Sequence, residues 1–250
     1  MSQNLVKQGI RFLRQNQYKE AVKTFKKAID QDINSTLVWN NLGLAYKGLK
    51  QYNEALKCFN EVLKIDPKEK DALYNLGLVY NTIKDYEKAI EYYQKAIKQN
   101  PQDKYAYFNL GLSYLKTQEL QKAFESFQKA LEIDPQYVKA LGNIGLLHTK
   151  FGNHEKAIEV FKNITEKNAR NVSAWYHLGV NYYENGDYAK AIQAYKEATM
   201  INPRHHNAWF NLGVLYKIRD DKQKAKNCFE NVLQINPKNE TATEHLESLK

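Results

Sequence analysis

The chain has 250 residues, 43% of them apolar and 12% aromatic, which is typical of a protein that buries a core. Its mean hydropathy is -0.70 and no apolar run approaches about 20 residues, which excludes a membrane-spanning protein. Two cysteines are too few for a disulfide framework or a four-cysteine zinc site, and a net charge of +9 leaves several classes of anionic partner open. The first residues contain no apolar signal core, so a cytoplasmic location is the expectation.

The glycines reveal an internal repeat. Seven of the eleven glycines follow one another at intervals of 34 residues: Gly9, Gly43, Gly77, Gly111, Gly145, Gly179 and Gly213. With each of these glycines at position 8, the chain divides into seven repeats, at residues 2–35, 36–69, 70–103, 104–137, 138–171, 172–205 and 206–239. All three tryptophans then fall at position 4, all five prolines at position 32, and every repeat has alanine at position 20 and an aromatic residue at position 24.

Each repeat is predicted to be a pair of helices. Apolar residues at positions 4, 7, 8 and 11 share one helical face, and those at positions 17, 20, 24 and 27 share a second. The small residues at positions 8 and 20 allow the two helices to approach closely, and proline at position 32 ends the second helix. One helical pair cannot cover its own apolar face, so the repeats are expected to stack into an all-α array.

The second repeat shows the pattern most completely. It carries Trp39, Leu42, Gly43, Tyr46, Ala55, Phe59 and Pro67. This arrangement resembles the tetratricopeptide repeat (TPR) family, and the resemblance extends over nearly the whole chain. It implies a right-handed superhelical α-solenoid whose concave groove is lined by the first helix of each repeat.

Two repeats depart from the pattern. Repeat 1 has Gln8 at position 7, Phe12 at position 11 and Ile33 where proline is expected. An outermost repeat tolerates a polar residue such as Gln8 because one of its faces meets water. Repeat 5 has Gly142 at position 5, His148 at position 11, His154 at position 17 and Ala169 in place of proline. Repeat 5 is therefore predicted to be the weakest packed repeat, with a hinge between repeats 1–4 and 6–7 as a hypothesis.

The tail, residues 240–250, is predicted to be a capping helix. Its segment Thr241 to Glu244 matches the capping-box pattern, and Ala242, Leu246 and Leu249 share one helical face. The polar residues on the opposite face would present the end of the array to water.

No motif for enzymatic chemistry is present. The chain contains no phosphate-binding glycine loop, nucleophile elbow, zinc-protease motif or Cys-x-x-Cys pair. The six histidines are scattered, and only His205 and His206 are adjacent, on side chains that do not face the same way. The sequence therefore predicts a non-enzymatic protein without a cofactor or a metal site.

The excess of basic over acidic residues lies in repeats 1, 5 and 7 rather than in one stripe, and only five of the 37 basic residues are arginine. Both features argue against nucleic acid as a partner. A lysine recurs at position 19 of repeats 3 to 7. In repeats 3 to 5 a glutamate three residues later offers an ion pair, whereas Lys190 and Lys224 have none there. A solvated outer face is the first interpretation, and contact of Lys190 and Lys224 with an acidic protein or lipid surface is the second.

The resemblance implies that positions 5 and 6 face the groove. Position 6 carries a series of polar side chains, Asn41, Asn75, Asn109, Asn143, His177 and Asn211. Position 5 carries Asn40, Tyr74, Phe108, Tyr176 and Phe210. Asparagine within a helix costs about 0.6 kcal/mol relative to alanine, so a use for these amides is expected. They either hold the backbone of an extended peptide, bond to their own scaffold, or are a tolerated residue copied by duplication.

The predicted function is a non-catalytic adaptor that holds an extended, partly apolar protein segment in its groove. No repeat has the lysine at position 5 or the asparagine at position 9 that chaperone-tail-binding family members use, so that specificity is not expected. Two alternatives stay open. One is a self-assembling scaffold on an organelle or membrane surface, similar in plan to magnetosome-associated members, and the other is a targeting subunit for a separate enzyme. The first alternative would include a homo-oligomer and peripheral contact with a membrane.

Overall fold

The computed structural model describes residues 2–249, which form fifteen α-helices and no strand. Lys250, the last residue of the predicted capping helix, lies outside this range. The helices are α1 (Ser2–Arg14), α2 (Tyr18–Ile29), α3 (Thr36–Gly48), α4 (Tyr52–Ile65), α5 (Lys70–Thr82), α6 (Tyr86–Gln99), α7 (Lys104–Lys116), α8 (Leu120–Ile133), α9 (Val138–Lys150), α10 (His154–Lys167), α11 (Val172–Glu184), α12 (Tyr188–Ile201), α13 (His206–Ile218), α14 (Lys222–Ile235) and α15 (Glu240–Glu247).

The helices pair as the sequence predicts, with one first helix and one second helix in each repeat. The chain divides into two compact bodies, Met1–Pro135 with helices α1 to α8 and Gln136–Lys250 with α9 to α15. Within each body, a first helix packs against the second helix of its own repeat and against that of the repeat before it. The predicted all-α solenoid fold is confirmed.

The close approach of the two helices depends on glycine at position 8. A Cβ placed on Gly43 would lie 2.6 Å from Cε1 of Phe59, a fully buried ring at position 24. The same clash with the position 24 ring of the same repeat recurs at the six other glycines of this position. The ring therefore occupies the space that a side chain at position 8 would need, as the small residue at this position predicts.

The turn between the two helices has one left-handed residue in every repeat. Position 15 has φ between 57° and 78° in Asn16, Lys50, Lys84, Gln118, Gly152, Gly186 and Asp220. Only two of these residues are glycine, so a search for glycine does not predict the left-handed position of the turn. The backbone N–H of the following residue donates to a carbonyl in the last turn of the first helix, as from Gln51 to Tyr46 at 2.9 Å, which fixes the turn.

A tryptophan at position 4 ties its helix to the preceding loop. The indole Nε1 of Trp209 donates to the carbonyl oxygen of Pro203 at 2.9 Å. Trp175 makes the equivalent bond to Ala169, also at 2.9 Å, so the loop is kept in repeat 5 although its proline is absent. The bond uses a backbone carbonyl, which explains why the side chain at position 32 can change.

The capping-box prediction for the last helix was wrong. The N-cap of α15 is Asn239, whose side chain accepts from the backbone N–H of Ala242 at 2.9 Å, and Thr241 lies inside the helix. Asn239 stands at the same place in the repeat as Asn171, the N-cap of α11. Helix α15 therefore begins like the first helix of an eighth repeat, and its His245 stacks on Phe229 with ring centroids 5.0 Å apart.

Both cysteines should be unreactive in the folded protein. Cys58 and Cys228 are free and buried, and burial raises the pKa of each thiol to about 12. Because the thiolate is the reactive form, we expect negligible labelling by Ellman's reagent at about pH 8 in the native protein and complete labelling in denaturant. Rapid labelling of the native protein would contradict the packing of these two side chains.

Candidate binding surface on the first helices

The aromatic residues at position 5 are half-buried on the first helix of their repeat. Each ring packs against the position 24 ring of the same repeat, with centroids 5.6 to 5.9 Å apart in the pairs Tyr74–Tyr93, Phe108–Phe127, Tyr176–Tyr195 and Phe210–Phe229. One side of each position 5 ring therefore packs against the core, and part of the ring stays exposed. Rings held in this way lose little conformational entropy when a partner covers them.

Three of the position 6 amides have the same orientation. Nδ2 donates to the carbonyl four residues earlier in Asn41 (2.7 Å), Asn109 (2.9 Å) and Asn143 (2.8 Å). A backbone carbonyl only accepts, so each amide turns its own Oδ1 away from the helix backbone. No donor reaches these three oxygens among residues 2–249. They are half-exposed acceptors on the face that positions 5 and 6 form in each body, which we call the first-helix face.

Asn75 has a different environment. It is 8% exposed, donates to Oδ1 of Asn40 at 3.4 Å and accepts from Nζ of Lys47 at 3.3 Å. Its amide thus links repeats 2 and 3. Asn109 adds a similar link by donating to the hydroxyl of Tyr74 at 2.9 Å. Part of the amide series therefore bonds to its own scaffold, which was one of the alternatives that the sequence left open.

His177, which interrupts the amide series, covers a ring of the preceding repeat. It stacks on Phe161 of the preceding repeat, with centroids 5.2 Å apart and planes 20° apart. Burial, with a smaller contribution from His205, lowers the pKa of His177 below its usual value, so the imidazole is neutral at neutral pH. Asn211 at the same position instead donates to the hydroxyl of Tyr195 at 3.2 Å. The position 6 residue thus contacts the position 24 ring of the preceding repeat in both cases, by stacking in His177 and by a hydrogen bond in Asn211.

The expectation that Lys190 and Lys224 have no ion-pair partner was wrong. Lys190 pairs with Asp187 and Lys224 with Asp221, each with Nζ to Oδ2 at 2.6 Å. Each lysine also lies over the tyrosine at position 11 of its own repeat, 5.4 to 5.5 Å from the ring centroid. The carboxylates are those of the N-cap residues of α12 and α14. Contact of these lysines with an acidic surface stays a prediction.

The glutamates three residues later were also the wrong partners. Lys88 pairs with the N-cap residue Asp85 at 3.1 Å, whereas Glu91 pairs with Lys95 at 2.6 Å. Side chains on a helix lean toward its N-terminus, so a lysine in the first turn reaches back to the cap rather than forward. The position 19 lysines of repeats 3, 4, 6 and 7 therefore belong to the helix caps, as surface contacts of small energetic weight.

Repeat 5 contacts repeat 6 through a buried polar group. Asn181 is fully buried, donates to Oγ1 of Thr149 at 2.9 Å and accepts from Nδ1 of His154 at 3.0 Å. These bonds explain how polar residues at otherwise apolar positions are accommodated. The hinge at repeat 5 stays a prediction.

The described residues bring no three His, Cys, Asp or Glu side chains together as a metal-binding group. Within residues 2–249, no helix has the length and apolarity needed to cross a bilayer.

His205 has a structural role, because its Nδ1 accepts from the backbone N–H of Ala208 at 3.2 Å and caps α13.

Family models match most of the chain. Tetratricopeptide repeat models match residues 37–69, 71–103 and 206–239, a TPR repeat model matches 9–50, and the TPR domain of cytochrome c-type biogenesis protein H matches 95–201. The chain belongs to the tetratricopeptide repeat family. The search of curated proteins finds no match.

Solved TPR structures share the fold. The C-terminal part of a TPR protein from Cytophaga hutchinsonii is 18% identical, with a TM-score of 0.83 over 96% of this chain and 99% of that one. MamA from Desulfovibrio magneticus RS-1, residues 41 to the end, is 29% identical, with a TM-score of 0.62 over 66% of this chain and 93% of that one. YrrB, a TPR protein with an unusual peptide-binding site, is 20% identical, with a TM-score of 0.67 over 77% and 99%.

Proposed function

We propose that this TPR protein is a non-catalytic interaction module that holds an extended segment of a partner protein on its first-helix face. The observation that carries the proposal is the common orientation of Asn41, Asn109 and Asn143, whose Oδ1 atoms point away from the scaffold. Backbone N–H groups of an extended peptide are suitable donors to acceptors of this kind, which lie on α3 and α7 in the N-terminal body and on α9 in the C-terminal body. The half-buried aromatic rings beside them would contact the side chains of the segment.

Replacing these three amides tests the proposal. We expect the Asn41→Ala, Asn109→Ala, Asn143→Ala variant to bind peptides selected by the wild-type chain from a phage-displayed random library about tenfold more weakly, which corresponds to about 1.4 kcal/mol. Alanine favours a helix more than asparagine does, so the variant should fold. Fluorescence anisotropy with a labelled peptide measures the affinity, and circular dichroism checks the fold.

The second helices provide a matched control. Asn60 and Asn231 also donate to the carbonyl four residues earlier, at 2.9 and 2.8 Å, but lie on second helices. The Asn60→Ala, Asn231→Ala variant should bind the peptide as the wild type does. Equal losses in the two variants, or no loss in the first-helix variant, would overturn the assignment of the first-helix face.

A second candidate is a scaffold that self-assembles through its first repeat. Apolar side chains of Val6, Ile10, Ile33 and Leu37 line a shallow hollow beside α1, and Leu37 is 53% exposed. An exposed apolar patch of this kind suits contact with another protein surface. If it joins copies of the chain, light scattering should give a mass that rises with concentration, and Leu37→Glu should keep the mass at that of one chain. A constant monomer mass in the wild type would exclude this candidate.

A further inference from the structure

A pocket of about 210 Å³ lies between the first helices α11 and α13 in the C-terminal body. Its walls are formed by Val180, Tyr183, Glu184, Tyr195, Phe210, Asn211 and Val214. Sites for small molecules usually measure about 300 to 1,000 Å³. This pocket is smaller and opens on the first-helix face, so its size suits one long side chain of a bound segment.

The carboxylate of Glu184 and the amide oxygen of Asn211 give the pocket two hydrogen-bond acceptors. Glu184 is the one charged residue among those that line it. Nδ2 of Asn211 donates to the hydroxyl of Tyr195, and Oδ1 of Asn211 is left as an acceptor. Burial, aided by the negative charge of Glu184, raises the pKa of Tyr195, so this phenol is neutral at physiological pH. The rings of Phe210 and Tyr183 add electron-rich faces that attract a cation.

Glu184 stands where the helix itself disfavours an acid. It is the last residue of α11, at the negative end of the helix dipole. It is exposed, and its side chain forms no ion pair or hydrogen bond within residues 2–249. Position 13 carries no other acid, since the remaining repeats have Arg14, Gly48, Thr82, Lys116, Lys150 and Ile218 there. The carboxylate therefore stabilises no contact of the fold. It is available to pair with a cation of a partner.

We infer that this pocket binds a lysine or arginine side chain of the partner segment. The inference rests on the proposed function, because it assigns one contact of the same bound segment. The aliphatic part of the side chain would lie along Val180 and Val214, as the stems of long basic residues do on apolar surfaces. Its cationic end would meet the Glu184 carboxylate and Oδ1 of Asn211. The pocket thus sets the register of the segment by one basic residue.

Peptide display on the full chain tests this contact. Wild-type protein panned with a random dodecapeptide library should enrich sequences that share lysine or arginine at one aligned position. Glu184→Gln should lose that preference, and Glu184→Lys should favour an acid there. Glu159→Gln, which removes an exposed carboxylate from the second helix α10, should leave the preference unchanged.

Affinities of one enriched peptide make the test quantitative. Lysine to norleucine in the peptide and Glu184→Gln in the protein should each weaken binding about tenfold, and together by no more than about tenfold, because both remove the same interaction. Enriched peptides without an aligned basic residue, or a less than about twofold effect of Glu184→Gln, would overturn the basic-residue pocket and leave the proposed function standing. A library from which the wild type enriches no peptide would overturn both.

Discussion

Replacing Phe229 with alanine is expected to lower the free energy of unfolding by about 3 to 5 kcal/mol. Its ring is fully buried and fills the space above Gly213, where a Cβ would lie 2.8 Å from it. The ring also supports Phe210, with centroids 5.8 Å apart, and carries the stacked His245 of α15. Removing it would leave a cavity and two unsupported rings in the last repeat.

In the Phe229→Ala variant, unfolding should begin in the last repeat. Repeat proteins gain stability from contacts between neighbours, so α13 to α15 should exchange their amide hydrogens sooner than the rest of the C-terminal body. Urea unfolding followed by circular dichroism gives the free energy, and hydrogen exchange gives its location. Met200→Ala is the control, because this side chain is 72% exposed and should change stability by less than about 0.5 kcal/mol. A loss below about 1 kcal/mol for Phe229→Ala would contradict the packing described for this repeat.

Two glycines of one helix should respond differently to substitution by alanine. A Cβ on Gly145 would lie 2.7 Å from Cζ of Phe161, whereas a Cβ on Gly142 would meet no atom within 4 Å. Both substitutions gain about 1 kcal/mol of helix propensity. Gly145→Ala also forces the ring of Phe161 to move against His177, so it should be less stable than Gly142→Ala by about 1 to 3 kcal/mol.

The pair of variants is its own control, because both lie in α9 and make the same chemical change. Thermal and urea unfolding of the two proteins under identical conditions measure the difference. Equal stabilities would mean that Phe161 can adjust at no cost and that glycine at position 8 is not required by packing. The result also bears on repeat 5, because a stabilising Gly142→Ala would identify a position where this repeat is looser than its neighbours.

The fold could be predicted from the sequence because it depends on period and residue size. The interval between the glycines fixed the register, and the alternation of small and aromatic residues fixed which faces meet, as Gly43 and Phe59 show. The capping box of α15 was mispredicted because the local motif at Thr241 was followed instead of the 34-residue repeat register. In the register, Asn239 stands at the place of the other N-cap residues.

The left-handed turn residues could not be predicted from residue type, because lysine occupies this position as often as glycine does, in Lys50 and Lys84. The lysine partners were mispredicted because spacing alone does not distinguish forward from backward contacts on a helix. For Lys190 the direction of the side chain decides in favour of Asp187.

The arrangement of the candidate binding surface was predicted in outline only. The sequence and the family resemblance placed positions 5 and 6 together, but not the different environments of Asn75 and Asn109. Those environments depend on contacts between repeats, which a single repeat pattern does not contain. The pocket at Glu184 was missed for the same reason, although one signal was present: no other repeat has an acid at position 13.

Site-specific photo-crosslinking tests most directly whether partners lie on the first-helix face. Phe210 and Met200 belong to the same body, one on the first helix α13 and the other on the second helix α12. With p-benzoylphenylalanine at either position, we predict that an enriched peptide crosslinks to the chain from position 210 and not from position 200. Crosslinks from position 200 without any from position 210 would contradict it.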